Sequence, residues 1–141
     1  MSKEKKKEGQ EIMRNIKFRA KDKFIKKFIY GDLLQIVGRI EICNKDGNYE
    51  IDSETVGQYT GVHDNNDSEV EIFENDKVVF TYDDNEYSGV IKFEAGAFII
   101  ACDELPDSYI TMLDITQSDR DYYWIDGEVV GNIHELSEVE V

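Results

Sequence analysis

The side chains able to do chemistry are few and scattered in this chain. His63-Asp64 is a His-Asp dipeptide of the kind some metal phosphohydrolases use, and His134 is the only other histidine. Two histidines without a cysteine cluster fall short of the usual zinc ligand sets unless carboxylates join them. The run from Asp64 to Glu71 offers hard oxygens, which calcium takes in sets of six to eight. An EF-hand reading fails there. Its sixth position needs Gly and holds Glu69, and its twelfth needs Glu and holds Asn75. An exposed loop histidine in a solvated acidic loop is the simpler account. Cys43 and Cys102 form no C-x-x-C pair. Cys102 sits on an apolar strand, whereas a reactive thiolate needs a basic, partly exposed setting. No G-x-S-x-G, P-loop or dinucleotide fingerprint occurs. The expectation is a protein that is not an enzyme and carries no metal and no cofactor.

Aromatic side chains are the other resource. Tyr122-Tyr123-Trp124 is their densest cluster. On a small barrel such residues grip peptides or stack bases; filling a core or an oligomer interface is the competing reading. Gln58, Tyr59, Tyr122, Tyr123 and Trp124 are the candidate binding residues, at a peptide-like groove, because aromatics gather beside turns there.

Charge narrows the partners. The chain has 141 residues and a net charge of −15. Residues 1–39 hold twelve Lys and Arg against five Asp and Glu, a net of +7. Residues 40–141 hold four against twenty-six, a net of −22. Such a body repels phosphates, since nucleic-acid affinity comes chiefly from Lys and Arg. The one plausible nucleic-acid footprint is the arm Lys3–Lys7 with Arg14, Lys17, Arg19, Lys21, Lys23, Lys26 and Lys27. The same arm can instead neutralise the acidic body of its own or a neighbouring subunit. No apolar run reaches the 18 or so residues of a membrane span. The N-terminal MSKEKKKEGQ lacks the apolar core of a secretory signal.

The elements that must position these residues read as mainly β. Residues 1–12 read as a disordered basic leader, and residues 13–141 as a single β domain. Asn15–Tyr30 suits a hairpin turned at Asp22-Lys23, with Lys17 and Arg19 on a wet basic face. Leu33–Cys43 is extended and bends at Gly38. Asp46-Gly47 is a hairpin signal. Asp76–Tyr82, Tyr87–Phe93 and Ala97–Cys102 form a three-strand meander joined by tight polar turns. Tyr109–Thr116 is a strand or a short helix. Tyr122–Trp124 and Glu128–Asn132 flank Asp126-Gly127, another hairpin signal. His134–Val141 reads as an acidic tail that frays or makes one helical turn.

Four blocks carry a resemblance. RNIKFRAKD (14–22), VGQYTGVHD (56–64), EIFENDKVVF (71–80) and VVGNIHE (129–135) occur in order. Together they resemble the YopX family of phage and prophage proteins over most of residues 13–136. The chain departs from that pattern at Asn75, where the family usually has Gly, and in the acidic loop after His63. Asn is the next residue most tolerant of positive φ, so the turn at Asn75 survives. The resemblance implies an SH3-like β-barrel with extra hairpins, a bacterial cytoplasm, and no assigned activity. Three functions stand as expectations. The first is a non-enzymatic binding or adaptor module acting through protein–protein contacts, including a homo-oligomer. The second is an acidic DNA-mimic decoy of a host nucleic-acid-binding protein. The third is weak nucleic-acid binding through the basic N-terminal arm.

Overall fold

The computed structural model describes residues 15–64, 70–115, 123–124 and 127–135, with the backbone alone at Tyr123 and Trp124. The leader 1–12, Tyr122, most of the acidic loop after Asp64 and the tail beyond Glu135 lie outside the described residues.

The described residues form two sheets and no closed barrel. The first contains β1 (Phe18–Lys21), β2 (Phe28–Ile36), β3 (Arg39–Asn44), β4 (Gly47–Glu50), β5 (Gly57–Asp64), β6 (Glu71–Phe73) and β11 (Tyr123–Trp124). Its order is β11-β5-β1-β2-β3-β4, with β6 also paired to β5. The second contains β7 (Asp76–Tyr82), β8 (Asn85–Glu94), β9 (Ala97–Ala101), β10 (Tyr109–Thr111) and β12 (Gly127–Asn132), in the order β10-β9-β8-β7-β12. All pairings are antiparallel except β11 with β5. A mainly β chain forming a small SH3-like barrel with extra hairpins was expected, and the mainly β part holds. The strand β10, however, is only three residues long and gives way at once to helix α1 (Met112–Ile115), leaving the second sheet open.

The turns follow the local chemistry. Asp83 and Asp84 both take positive φ, 54° and 68°, and link β7 to β8. Ala95 and Gly96, at 51° and 83°, link β8 to β9. Two successive positive-φ residues match the right-handed twist of hairpin strands. Gly38, at φ 90°, makes a full reversal between β2 and β3, sharper than the expected bend. The Asp126-Gly127 signal misled. The strands flanking it join different sheets, β11 pairing with β5 and β12 with β7.

The alternation in β7 places its core. Val78 and Phe80 are buried beneath the second sheet with Ile91, Ile100, Cys102, Leu105 and Ile110. Met112 of α1 and Val62 and Ile72 from the first sheet complete that cluster, and the last two so join the two sheets. A smaller core of Ala20, Ile42 and Ile51 lies beneath β1–β4. Cys102 is the core residue expected of it.

Asn75 turns the chain from β6 to β7 at φ 80°. Its N–H donates to Ile91 O at 2.8 Å, and its carbonyl accepts from Ile133 N at 2.9 Å. An L-residue in this conformation carries about 1–2 kcal/mol of strain. Asn75→Gly should therefore fall within about 1 kcal/mol of wild type, while Asn75→Val should lose about 2 kcal/mol or more. Urea midpoints check both. Equal stability of the two variants would contradict this account.

Candidate binding surfaces and the motif junction

The four sequence blocks converge on one junction between the sheets. Arg19, in β1, reaches across to β7, where its Nη2 donates to Asp76 Oδ1 at 2.5 Å. Both residues are buried, Asp76 almost completely. The other carboxylate oxygen, Oδ2, accepts from Phe73 N at 2.7 Å. The Arg19 guanidinium lies 4.8 Å from the Phe28 ring and 4.9 Å from the Phe73 ring. Period-two reading had set Arg19 on a wet face. Its burial corrects that, because an arginine with a paired carboxylate and two aromatic faces keeps its partners without water. Burial pushes the Asp76 carboxyl above its ordinary range and Glu135 adds to that; Arg19 and the Phe73 N–H pull the other way.

Each block contributes to this frame. In the first block, Asp22 Oδ1 accepts from Phe24 N at 2.7 Å and Ile25 N at 3.0 Å, and Lys21 Nζ donates to His134 O. In the second, Tyr59 is buried with its ring 5.4 Å from that of Phe73. Thr60 Oγ1 donates to Ile72 O at 2.8 Å. Gly61, at φ 87°, lies where the β5–β6 register shifts. Gln58 and Glu74 exchange two bonds, Glu74 N to Gln58 O at 2.9 Å and Gln58 N to Glu74 Oε1 at 3.3 Å. In the last block, Asn132 Oδ1 accepts from His134 N at 2.8 Å, and Asn132 N donates to Glu135 Oε1 at 3.0 Å. A family model described as YopX protein matches residues 17–139. The chain belongs to the YopX family. No curated protein and no solved structure matches it. The YopX blocks thus supply turn formers, sheet-bridging bonds and buried pairs, which are the parts of a scaffold.

Among the candidate binding residues, Tyr59 holds a core position against Phe73, and burial followed by nearby Glu71 pushes its phenol above the ordinary range. Gln58 is half-buried. The backbone of Tyr123 and Trp124 runs beside His63 and Asp64, so these two positions and the His-Asp pair lie on adjacent strands. His63 Nδ1 lies 2.9 Å from Asp64 O, and no metal-holding group of His, Cys, Asp and Glu occurs among the described residues. No described helix is long and apolar enough to cross a membrane.

Among the described residues, four cations of the expected nucleic-acid footprint are engaged by the protein itself, and Lys3–Lys7 and Arg14 lie outside them. Lys17 pairs with Glu71 at 2.6 Å, Arg19 with Asp76, and Lys23 with Glu50 at 3.2 Å, while Lys21 reaches the His134 carbonyl. Lys26 and Lys27 have no ion-pair partner among the described residues and stand exposed.

Two open clefts are lined by described residues. An open cleft of about 510 Å³ lies between the β1–β2 turn and the tip of the β2–β3 hairpin, lined by Lys23, Lys26, Gly38, Arg39 and Ile40 among others. Glu50, Asp52 and Ser53 also line it, and the chain neighbours of its lining residues are apolar and exposed: Phe24 is 74% exposed, Ile25 59% and Val37 101%. A second cleft, of about 350 Å³, lies along β10 and is lined by Tyr82, Leu105, Pro106, Asp107, Tyr109 and Asp114 among others. Sequence reading missed Phe24, Ile25 and Val37. The signal was there: Phe24 and Ile25 directly follow Asp22-Lys23, and Val37 directly precedes Gly38, so turns place them outside any core.

His134 carries a pH-dependent term. Its Nε2 is buried without a hydrogen-bond partner among the described residues. Burial lowers its pKa first, then nearby Lys21 and Arg19, with Asp52 and Glu54 opposing. The unfolded chain, at about 6.5, then binds the proton more readily than the folded one. Stability is full above that pH and falls as pH drops through it toward the lowered value. His134→Gln should flatten this slope. Urea midpoints of both proteins between neutral and mildly acidic pH check it, and parallel curves would refute it.

Proposed function

We propose that this YopX protein is a non-enzymatic binding or adaptor module of phage or prophage origin, working in the bacterial cytoplasm through protein–protein contacts. One observation carries the reading. Phe24, Ile25 and Val37 stand in solvent, next in the chain to Lys23, Lys26 and Gly38 of the larger cleft, on a chain of net charge −15. Exposed apolar groups gathered with a polar rim mark interaction sites more often than chance surface. The family membership is consistent with the phage setting. The strand order β12-β7-β8-β9-β10 supports the SH3-like part of the reading, because the last strand returns beside the first strand of the meander, as closure of a small barrel requires.

The test is affinity capture from bacterial cells carrying the phage or prophage, comparing wild type with Phe24→Ser/Val37→Glu. Wild type should retain a protein, another or its own copy, at near-equal amounts. The double variant should keep its unfolding midpoint and lose most of that partner. Equal capture by both proteins, or none by either, would refute the reading.

A further inference from the structure

The β1–β2 turn is a rigid, basic, apolar knob. Its segment Lys23-Phe24-Ile25-Lys26-Lys27 carries three lysines and no acid. Asp22 closes it from both sides. Its carboxylate accepts from Phe24 N and Ile25 N, its carbonyl from Lys26 N at 2.9 Å, and its N–H donates to Lys27 O at 2.8 Å. A turn fixed this way loses little conformational entropy on binding. It nevertheless holds a phenylalanine 74% exposed, and burying such a ring removes about 150–250 Å² from water.

The cleft along β10 has the opposite character. Residues 103–114 carry Asp103, Glu104, Asp107 and Asp114 and no lysine or arginine. The cleft walls include Tyr82 and Tyr109, both about half exposed, with Pro106 between Leu105 and Asp107, and the acids that line it are Asp107 and Asp114. Its volume of about 350 Å³ accommodates one aromatic side chain and the stems of neighbouring lysines. Tyrosine faces also attract ammonium groups.

We infer that the chain associates with itself head to tail, with the β1–β2 turn of one copy seated in the acidic cleft along β10 of the next. The inference rests on the protein–protein reading above and names a second copy as the partner. Charge complementarity selects that occupant: the knob holds Lys26 and Lys27, which have no ion-pair partner among the described residues, and the chain's own body holds the acids. Knob and cleft are different surfaces, so the contact is heterologous and each copy keeps one free half.

Sedimentation and light scattering of the full chain, over a range of concentration and at low and high salt, test the inference. Wild type should exceed monomer mass as concentration rises at low salt and return toward monomer at high salt. Phe24→Ser removes the knob and Asp107→Lys spoils the cleft. Each should weaken association at least about tenfold while keeping the unfolding midpoint. An equal mixture of the two variants should form a dimer and stop there, because one intact knob meets one intact cleft. A wild-type monomer at every concentration, variants that associate normally, or a mixture that stays monomeric would each overturn the inference. If the chain is monomeric yet retains another protein through Phe24 and Val37, this inference falls and the reading above stands.

Discussion

Arg19→Ala should cost about 3–5 kcal/mol of unfolding free energy, more than any substitution at the exposed lysines. The reason lies with the partner left behind. Asp76 is almost wholly buried and would keep only the Phe73 N–H. An unpaired carboxylate in that place must take up a proton or reach for water, and either outcome loosens the seam between β1 and β7. The penalty should therefore depend on pH. Without Arg19, the folded-state pKa of Asp76 rises further, so the folded variant holds the proton into mildly acidic conditions. Its deficit relative to wild type should shrink as pH falls from neutral into that range and grow again as pH rises. Arg19→Lys tests a separate component. It keeps the charge but gives up the planar group lying against Phe28 and Phe73, and should cost about 1–2 kcal/mol. Chemical denaturation of the three proteins at two pH values decides the matter. A deficit for Arg19→Ala below about 1 kcal/mol would show that the seam does not depend on the pair.

Such a pair shows what sequence can and cannot reveal about this fold. Local chemistry was legible. Asp83-Asp84, Ala95-Gly96 and Asn75 reverse the chain where polar, glycine-containing or Asn-bearing stretches say it must. The Val78–Phe80 alternation identified the main core, because period two is a property of the strand itself. Long-range choices were not legible. Nothing between Tyr122 and Asn132 says that its two strands go to different sheets, since a hairpin signal is blind to what else competes for those backbone groups. Arg19 reads like Lys17 beside it, and only the fold reveals that one meets a surface glutamate and the other a buried aspartate. The candidate site divides in the same way. Tyr59 was chosen for its type and proved to be packing for Phe73, while Phe24 and Val37 were passed over although their neighbouring turns already put them in solvent.

Asp64 is the second place where one carboxylate binds separate elements, and Asp64→Ala should cost about 3 kcal/mol. The residue ends β5 and is completely buried. Its Oδ1 accepts from Val70 N at 2.9 Å, fixing the return of the acidic loop, and its Oδ2 accepts from Val129 N at 3.2 Å, holding β12 of the other sheet. Val129 adjoins the irregular register between β12 and β7, where the regular ladder is interrupted. An acceptor from the opposite sheet thus reinforces β12 at the residue where its register with β7 becomes irregular. Removing it leaves two N–H groups short of an acceptor, each costing about 1–3 kcal/mol if it stays dry. Asp64→Asn keeps one carbonyl oxygen but turns an amino group toward the other N–H, so it should lose roughly half as much. The His-Asp dipeptide that first suggested a metal ligand would then owe its aspartate to architecture. Hydrogen exchange gives the sharper readout. In Asp64→Ala the Val70 and Val129 amides should both exchange faster, while those of Ile91 and Ile100 in the main core should slow or quicken only with global stability. Unchanged protection at Val129, with a stability loss below about 1 kcal/mol, would show that β12 is held by β7 alone.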